Sequence, residues 1–450
     1  MLDSPFRIAV CLLLITSAVA RTQSFESSDR SHPVIDSQFR SLFDGKTLDG
    51  WVTTGGRYDG KAVWGVEDGA ITGREGPNHA GGLIYTEGYY SSFVFSCEAW
   101  VSYPFDSGIF LRMVPRKEKL KGAQITIDYR EKGEVGGIYA DGWLQHNKDG
   151  KQAYKRDEWN KFVVECVGSP MHIRVWMNGR LITDYRLSDE TQGFARSGRI
   201  GLQVHGGRKD PPNARAQFRN IKIRELPDHD DRIFSCDAAG KLSATELGKR
   251  KGWARLFNGR DLTGWEPVGG GSEGYAVRDG MLVFPAKGGG GYIRTTEDFR
   301  DFELRMDFKV LKMANSGLFL RGNRAGGNPA YSGCEIQILD DHNWEESTKS
   351  KLKPWQFTGS LYGAVAPAVD AFKPLGHWNS FEVTYQEARL QVLLNGRELY
   401  DVDTLGLSSA KPPFAKRAQT GFIGLQRHSP GGKLESDAFA WFSNIFIRKL

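Results

Sequence analysis

The stretch Tyr331 to Asp341, YSGCEIQILDD, holds the residue types best suited to chemistry in this chain. Cys334, Ile336 and Ile338 alternate with Glu335, Gln337 and Leu339, which is the period of a β-strand. That period sends Glu335 and Gln337 to the face opposite Cys334 and Ile336. A carboxylate beside an amide makes a polar floor, suited to sugar hydroxyls or to proton transfer; the same pattern also fits a half-exposed strand with a wet outer face. Its neighbours SGLFLRG (Ser316 to Gly322), TGSLYG (Thr358 to Gly363) and GFIGLQRH (Gly421 to His428) are short apolar strands with polar side chains on one parity. Parity groups Arg321 with Phe319, Tyr362 with Ser360, and His428 with Gln426. One surface is thus expected to carry Arg321, Glu335, Gln337, Tyr362, Gln426 and His428. Glu335 and His428 suit a base or an acid, and Arg321 and Tyr362 suit hydrogen-bond donors to a substrate oxygen. Gln337 and Gln426 suit substrate contacts, and Trp355 and Trp344, in the connections, are placed to stack on a sugar ring. His428 equally fits a hydrogen-bonded sheet histidine, and Arg321 a structural ion-pair partner.

Two other chemistries are written into the same stretch. Glu335-x-Gln337-x-x-Asp340 is similar to the E-x-D-x-x-E strand of some jelly-roll glycosidases, but its middle acid is an amide. Positions 335 and 340 differ in parity, so a carboxylate pair requires a bulge between them. Asp340-Asp341-His342 leaves room for a divalent metal, although acidic clusters at strand ends also serve turns. No cofactor is secured by these residues.

The elements that position this strand occur twice. LFDGKTLDGW (Leu42 to Trp51) returns as LFNGRDLTGW (Leu256 to Trp265), SGIFLR (Ser107 to Arg112) as SGLFLR, and GGIYAD (Gly136 to Asp141) as GSLYGA. Trp159-Asn160 returns as Trp378-Asn379, WMNGR (Trp176 to Arg180) as LLNGR, GLQVH (Gly201 to His205) as GLQRH, and FRNIKIREL (Phe218 to Leu226) as FSNIFIRKL. The order never changes, so one domain of about 190 residues is duplicated in tandem. The expected copies are residues 38–227 and 252–450, joined by a linker at 228–251. In that linker Ser243 with Glu246 reads as a capping box for a short helix, Ala244 to Lys251. The first copy keeps Arg112, Tyr139, Gln203 and His205, but Gln124 falls opposite Glu335 and Thr126 opposite Gln337. These first-copy residues suit substrate binding, with turnover weakened by the missing carboxylate or resting on His205 alone.

The chain has 450 residues, 54 of them glycine, and 12% aromatic content, with no long helical periodicity. Alternating strands with Asn-Gly turns at 178–179 and 395–396 make it all-β, with two antiparallel sheets packed face to face in each copy. A net charge of +6 against 60 basic and 54 acidic residues does not favour nucleic acid. Arg7, the apolar run Ile8 to Ile15 and Ala18-Val19-Ala20 read as a signal peptide over residues 1–20, too short to span a membrane. Export to the periplasm or the exterior is the consequence. Residues 21–37 read as a disordered leader, and Cys97, Cys166 and Cys334 read as small core residues.

These collinear motifs (LFDGKTLDGW, NSGLFLRG, EIQILDD, G-LYG, WN, NG and GLQ-H…F-NI-IR-L) resemble those of the 3-keto-disaccharide hydrolase family, over both copies. The resemblance implies two tandem concanavalin A-like jelly-roll sandwiches, each with a concave face used for carbohydrate. It implies cleavage of glycosides whose glucose ring is already oxidised at C3, as a 3-keto-glucoside 1,2-lyase and 3-keto-2-hydroxyglucal hydratase; the carboxylate found only in the second copy makes that copy the expected active one. A sugar C3-oxidoreductase would act upstream. A carbohydrate-binding protein without turnover, and a purely structural exported sandwich pair, are the other classes that the sequence leaves open.

Overall fold

The computed structural model describes residues 32–188, 193–207, 211, 213–271, 273–407, 412–428 and 436–450. The expected signal peptide and the expected leader up to residue 31 lie outside the described residues; residues 32–37, expected as disordered leader, are placed against the first sandwich, His32 edge-on to Trp176 at 6.3 Å and Ile35 on the Phe39 cluster. Each copy builds its own pair of antiparallel sheets, of eight and seven strands in the first copy and eight and five in the second. Inward residues alternate as the strand period requires. Phe93, Phe95, Cys97, Ala99 and Val101 enter one core, and Phe302, Leu304, Met306, Phe308 and Val310 enter the other. Cys97, Cys166 and Cys334 are buried and free.

The repeated motifs are structural devices that recur because the fold recurs. In LF-x-G…L-x-G-W the tryptophan indole donates back to the leucine carbonyl, Trp51 to Leu42 at 2.7 Å and Trp265 to Leu256 at 2.9 Å. The asparagine of each Trp-Asn pair meets the asparagine of each Asn-Gly turn. Asn178 Nδ2 donates to Asn160 Oδ1 at 2.9 Å, and Asn395 Nδ2 to Asn379 Oδ1 at 2.8 Å. Both turn asparagines are left-handed (φ of 51° and 52°), which asparagine tolerates and which a two-residue hairpin needs.

In the second copy the site lies on the five-stranded sheet. Its order is Trp265–Gly269, Gly291–Thr295, Phe422–Arg427, Asn315–Gly322 and Cys334–Leu339. The expected Tyr strand forms only in the first copy, as Val135–Tyr139 continuing to Trp143–Gln145. In the second copy the chain turns back at once, Leu361 N bonding Val365 O at 3.0 Å. This turn still hangs on the site strand, because Gln337 N donates to Ser360 O at 3.0 Å and Tyr362 N to Glu335 O at 2.9 Å.

The linker holds a two-stranded ribbon, Phe234–Cys236 with Leu242–Ala244, and a helix at Glu246–Arg250. Its cap is Thr245, whose hydroxyl accepts from Gly248 N at 3.1 Å; Ser243, the expected cap, lies in the ribbon. The two sandwiches touch directly. Arg196 pairs with Glu382 at 2.5 Å, Lys373 with Glu225 at 2.7 Å, and Arg305 Nε donates to the Asp228 carbonyl at 2.7 Å.

Arg112 and Arg321 depart from the parity expectation. Both have a left-handed backbone (φ of 52°), and the strand register shifts there. The irregularity takes each guanidinium off the site face and buries it at the end of its sandwich. Arg321 donates to the carbonyls of Arg300 (2.6 Å) and Glu387 (2.8 Å), pairs with Asp301 at 3.1 Å, and lies 3.5 Å over the Tyr385 ring. Arg112 donates to the carbonyls of Ser91 (2.7 Å) and Gly168 (2.8 Å). They close the fold and do not line the floor. Arg321→Ala strands two carbonyls and a carboxylate. It should lower the stability of the second sandwich by about 3 kcal/mol, read as a lower urea midpoint. Arg321→Lys should recover little, since an ammonium cannot span both carbonyls. An unchanged midpoint for Arg321→Ala would refute this role.

Candidate functional site

Glu335 and Gln337 leave the core face of their strand to Cys334, Ile336 and Ile338, as the alternation requires. The strand pairs without a bulge. Phe319 stands opposite Glu335, and Gly317 opposite Gln337. On its other side Gly317 pairs with Gln426, which pairs in turn with Tyr292. Gln337, Gly317 and Gln426 therefore form one row across three strands. The glycine makes room for Glu335 in its present position, because a Cβ at 317 would lie 2.0 Å from Glu335 Oε1. The Glu335 side chain leans over this gap toward the two amides.

The environment of Glu335 is unusual for a carboxylate. It is 3% exposed, and among the described residues its carboxyl accepts no hydrogen bond. Burial pushes its pKa up to about 8. Gln337 and Gln426 each carry a buried side-chain oxygen with no partner among the described residues. Three polar groups without partners at one place are costly in a folded protein unless a ligand or water completes them.

The segment before the strand packs against the same sheet beside the floor. The short helix Pro329–Ser332 sets Ala330 against Phe319 and Phe422, with Tyr292 stacked on Phe422 at 5.6 Å. Arg324 anchors this segment through Asp298 (2.7 Å), Glu266 (2.9 Å) and the Thr295 carbonyl (2.6 Å). Tyr362 and Trp355 meet edge to face at 5.2 Å, and Tyr331 lies 6.4 Å from Tyr362. This aromatic rim sits beside Glu335, through the backbone bond of Tyr362 already described. Tyr362 is half-buried, and burial raises its pKa.

Of the residues grouped by parity, the structure brings together Glu335, Gln337, Gln426 and Tyr362, with Trp355 at the rim. His428 is not joined to Glu335. It is exposed just past the end of Phe422–Arg427, four positions beyond the Glu335 row, about 13 Å along the strand direction. Trp344 sits on the helix Trp344–Thr348, without a ring contact to that rim among the described residues. Asp340 accepts from Met313 N at 2.9 Å and from Asn343 Nδ2 at 2.8 Å, and Asp341 accepts from Thr358 N at 2.9 Å. His342 stacks on Phe372 at 5.7 Å. This acidic cluster organises turns. With no bulge between 335 and 339, Asp340 does not pair with Glu335. No group of three or more metal-ligating side chains is assembled among the described residues.

The first copy keeps the register and changes the groups. Gln124 faces Phe110, and Thr126 faces Gly108, as Glu335 and Gln337 do in the second copy. Gln124 Nε2 donates to Gln203 Oε1 at 2.9 Å, so this floor satisfies itself. A cleft of about 970 Å³ lies over it, edged by Tyr139, Trp143, Tyr58 and His205. His205 Nδ1 is 3.8 Å from Asp106 Oδ1, and burial raises the Asp106 pKa. Sequence reading missed Asp106, Trp143 and Tyr58. The parity running from Gln124 to Asp128 and Arg130 pointed toward this end of the cleft, but nothing local pointed to Tyr58, which arrives from a distant loop.

A family model for the 3-keto-alpha-glucoside-1,2-lyase-like domain matches residues 38–224 and again 252–448. The chain belongs to that family, twice over. A 3-keto-disaccharide hydrolase from Bacteroides thetaiotaomicron is 26% identical over 237 residues, 44% of this chain and 79% of that protein. A solved candidate glycosyl hydrolase from Parabacteroides distasonis is 29% identical, with a TM-score of 0.40, covering 46% of this chain and 98% of its own. A carbohydrate-binding module from Bacillus subtilis is 17% identical, with a TM-score of 0.28, covering 39% of this chain and 96% of its own.

The buried acid sets a pH dependence. An ordinary glutamate ionises near 4.5, whereas folded Glu335 ionises near 8. Between these values the unfolded chain has lost the proton and the fold still holds it. Stability of the second sandwich therefore falls as pH rises through this window and levels off above it. Glu335→Gln removes the effect. Its melting temperature should match wild type at about pH 4 and exceed it by a growing margin up to about pH 8. Parallel melting curves across that range would refute the assignment.

Proposed function

We propose that the second sandwich cleaves 3-keto-glycosides by elimination and rehydration. The observation that carries this reading is the buried Glu335 carboxyl beside two partnerless amide oxygens. A ketone at C3 acidifies the C2 hydrogen. Glu335, made more basic by burial, takes that proton, and the electron pair of the C2–H bond forms an enolate with C3. Collapse of the enolate restores the ketone, forms the C1–C2 double bond and expels the glycosidic oxygen, which leaves with a proton. Water then adds at C1 while a proton returns to C2, so the net reaction is hydrolysis. Tyr362 supplies a hydroxyl beside Glu335 for the enolate or leaving oxygen, Gln337 and Gln426 hold the sugar hydroxyls, and Trp355 bounds the ring. Burial of Glu335 limits the water that competes for the carboxyl.

The reaction needs no electron acceptor at this site, since the ketone arrives with the substrate. A sugar C3-oxidoreductase must therefore act first. The signal-peptide pattern at residues 1–20 supports export of this chain, so the cleavage step would take place outside the cytoplasm. The self-satisfied Gln124–Gln203 floor, with an amide where the second copy has Glu335, supports the second copy as the one that turns over.

Glu335→Gln should lower turnover of a 3-keto-disaccharide by roughly 10²- to 10⁴-fold, the range for losing a general base or acid. The protein should stay folded, because the isostere keeps the contact over Gly317. Full activity in the folded variant would remove Glu335 from the mechanism. The bond that breaks is tested separately. A C2-deuterated substrate should react more slowly than the protiated one, and partial conversion in heavy water should place deuterium at C2 of the released sugar. Neither effect, under conditions where chemistry limits the rate, would point to direct displacement at C1.

A further inference from the structure

The first sandwich has a cleft with a different design. Trp143 is 45% exposed and stacks on His146 at 4.5 Å, with Tyr139 edge-on at 5.7 Å. Its indole rests on the sheet itself, because a Cβ at Gly137 would come within 2.7 Å of the ring. This is a fixed aromatic platform at the side of a polar floor. The second copy has no equivalent, since its chain reverses at Leu361–Val365, before a matching strand can form.

The carboxylates around the cleft are all engaged. Arg130 pairs with Asp106 at 2.9 Å and Asp128 at 2.5 Å. Asp141 accepts from Arg57 and Tyr58, and Glu134 accepts from His146 at 2.8 Å and Asn147 N at 2.7 Å. Asp106, Asp128 and Asp141 are each matched by an arginine, and Glu134 and Asp59 are held by hydrogen bonds. Each carboxylate keeps lone pairs in a fixed position, so the walls offer acceptors that want donors. Sugar hydroxyls are such donors, and a stacked pyranose ring completes the match to Trp143. Oxidising a hydroxyl to a ketone removes its donor, so acceptor-rich walls should favour the unoxidised sugar. At the Glu335 position Gln124 can neither take nor give a proton.

We infer that the first sandwich is a holding site for neutral, unoxidised oligosaccharide, with Trp143 as its stacking platform and Gln124–Gln203 as its floor. The inference rests on the carbohydrate reading of the family and is independent of the role given to Glu335. The two copies then divide the work, one retaining the parent glycan and the other cleaving its 3-keto form.

Calorimetry on the full mature chain tests this, with sucrose, maltose, lactose, trehalose, cellobiose and maltotriose as probes. At least one should bind, its 3-keto derivative should bind more weakly, and Trp143→Ala should weaken the parent sugar about 10-fold or more, the loss typical of a sugar-sized stacking contact. Trp143 is exposed, so the variant should melt with wild type; if it does not, Trp143→Phe, which retains a platform, should bind between the two. Hydrogen exchange with the bound sugar should show protection at residues 56–59 and 139–146. Absence of binding, equal affinity in Trp143→Ala, tighter binding of the 3-keto form, or protection confined to residues 322–337 and 355–362 would each overturn the inference. Turnover of Glu335→Gln is read in a separate assay. Failure there would leave this result standing.

Discussion

A strand can present side chains to only two faces, and the Asn315–Gly322 strand depends on keeping that rule for most of its length and breaking it once. Through Phe319 the register is regular, which sets Gly317 between Gln337 and Gln426 and leaves a gap for the Glu335 side chain. At Arg321 the left-handed backbone breaks the alternation, and a guanidinium that would have stood on the floor is buried against Tyr385 and two carbonyls. The same residue thus closes the end of the sandwich and keeps a fixed cation away from Glu335. Had Arg321 stood on the floor, its charge would hold the carboxylate ionised. Its removal is one reason why desolvation alone governs the acid.

The two copies show how one scaffold supports opposite electrostatic designs. Both place a glycine where the floor side chain must cross, Gly108 against Gln124 and Gly317 against Glu335. In the first copy an amide pair satisfies itself beneath an open cleft walled by compensated carboxylates. In the second a largely buried carboxyl has no hydrogen-bond partner among the described residues, and Phe319, Ala330 and Phe422 cluster beside it. An open, hydrated, self-satisfied floor suits binding. A largely buried, unsatisfied one suits proton transfer, because desolvation brings a carboxyl's pKa toward neutrality.

The copies are not independent beads. Asp228 is buried where the linker leaves the first sandwich. It accepts from Ser92 Oγ at 3.0 Å and offers its carbonyl to Arg305 of the second. Arg196 and Glu382 complete this junction. Buried charge at an interface favours one relative placement, since any other would leave an unpaired group out of water. The charged residues of the linker therefore help to fix how the two sandwiches sit.

Much of this was legible in the chain. Period-two alternation in the strands around Phe93, Phe302 and Cys334 determined both the sandwiches and which of their residues are core. Collinear motifs determined the duplication and the family, and parity placed Glu335, Gln337, Gln426 and Tyr362 around one floor. These properties are local, or repeat at a fixed order, so one dimension is enough to read them. Tertiary structure alone decided the rest. Parity counting cannot see a register shift, so Arg112 and Arg321 were placed on the wrong face. It cannot measure distance along a sheet, so His428 was grouped with an acid four rows away. The second copy's Tyr segment turns back through Leu361 N to Val365 O, whereas in the first copy Val135–Tyr139 is extended and paired on its far side by Trp143–Gln145; which of these forms depends on chain beyond the shared motif. The partnerless state of Glu335 and the compensated walls around Trp143 come from which distant segments fold over each sheet, and burial of that kind is a property of the assembled fold.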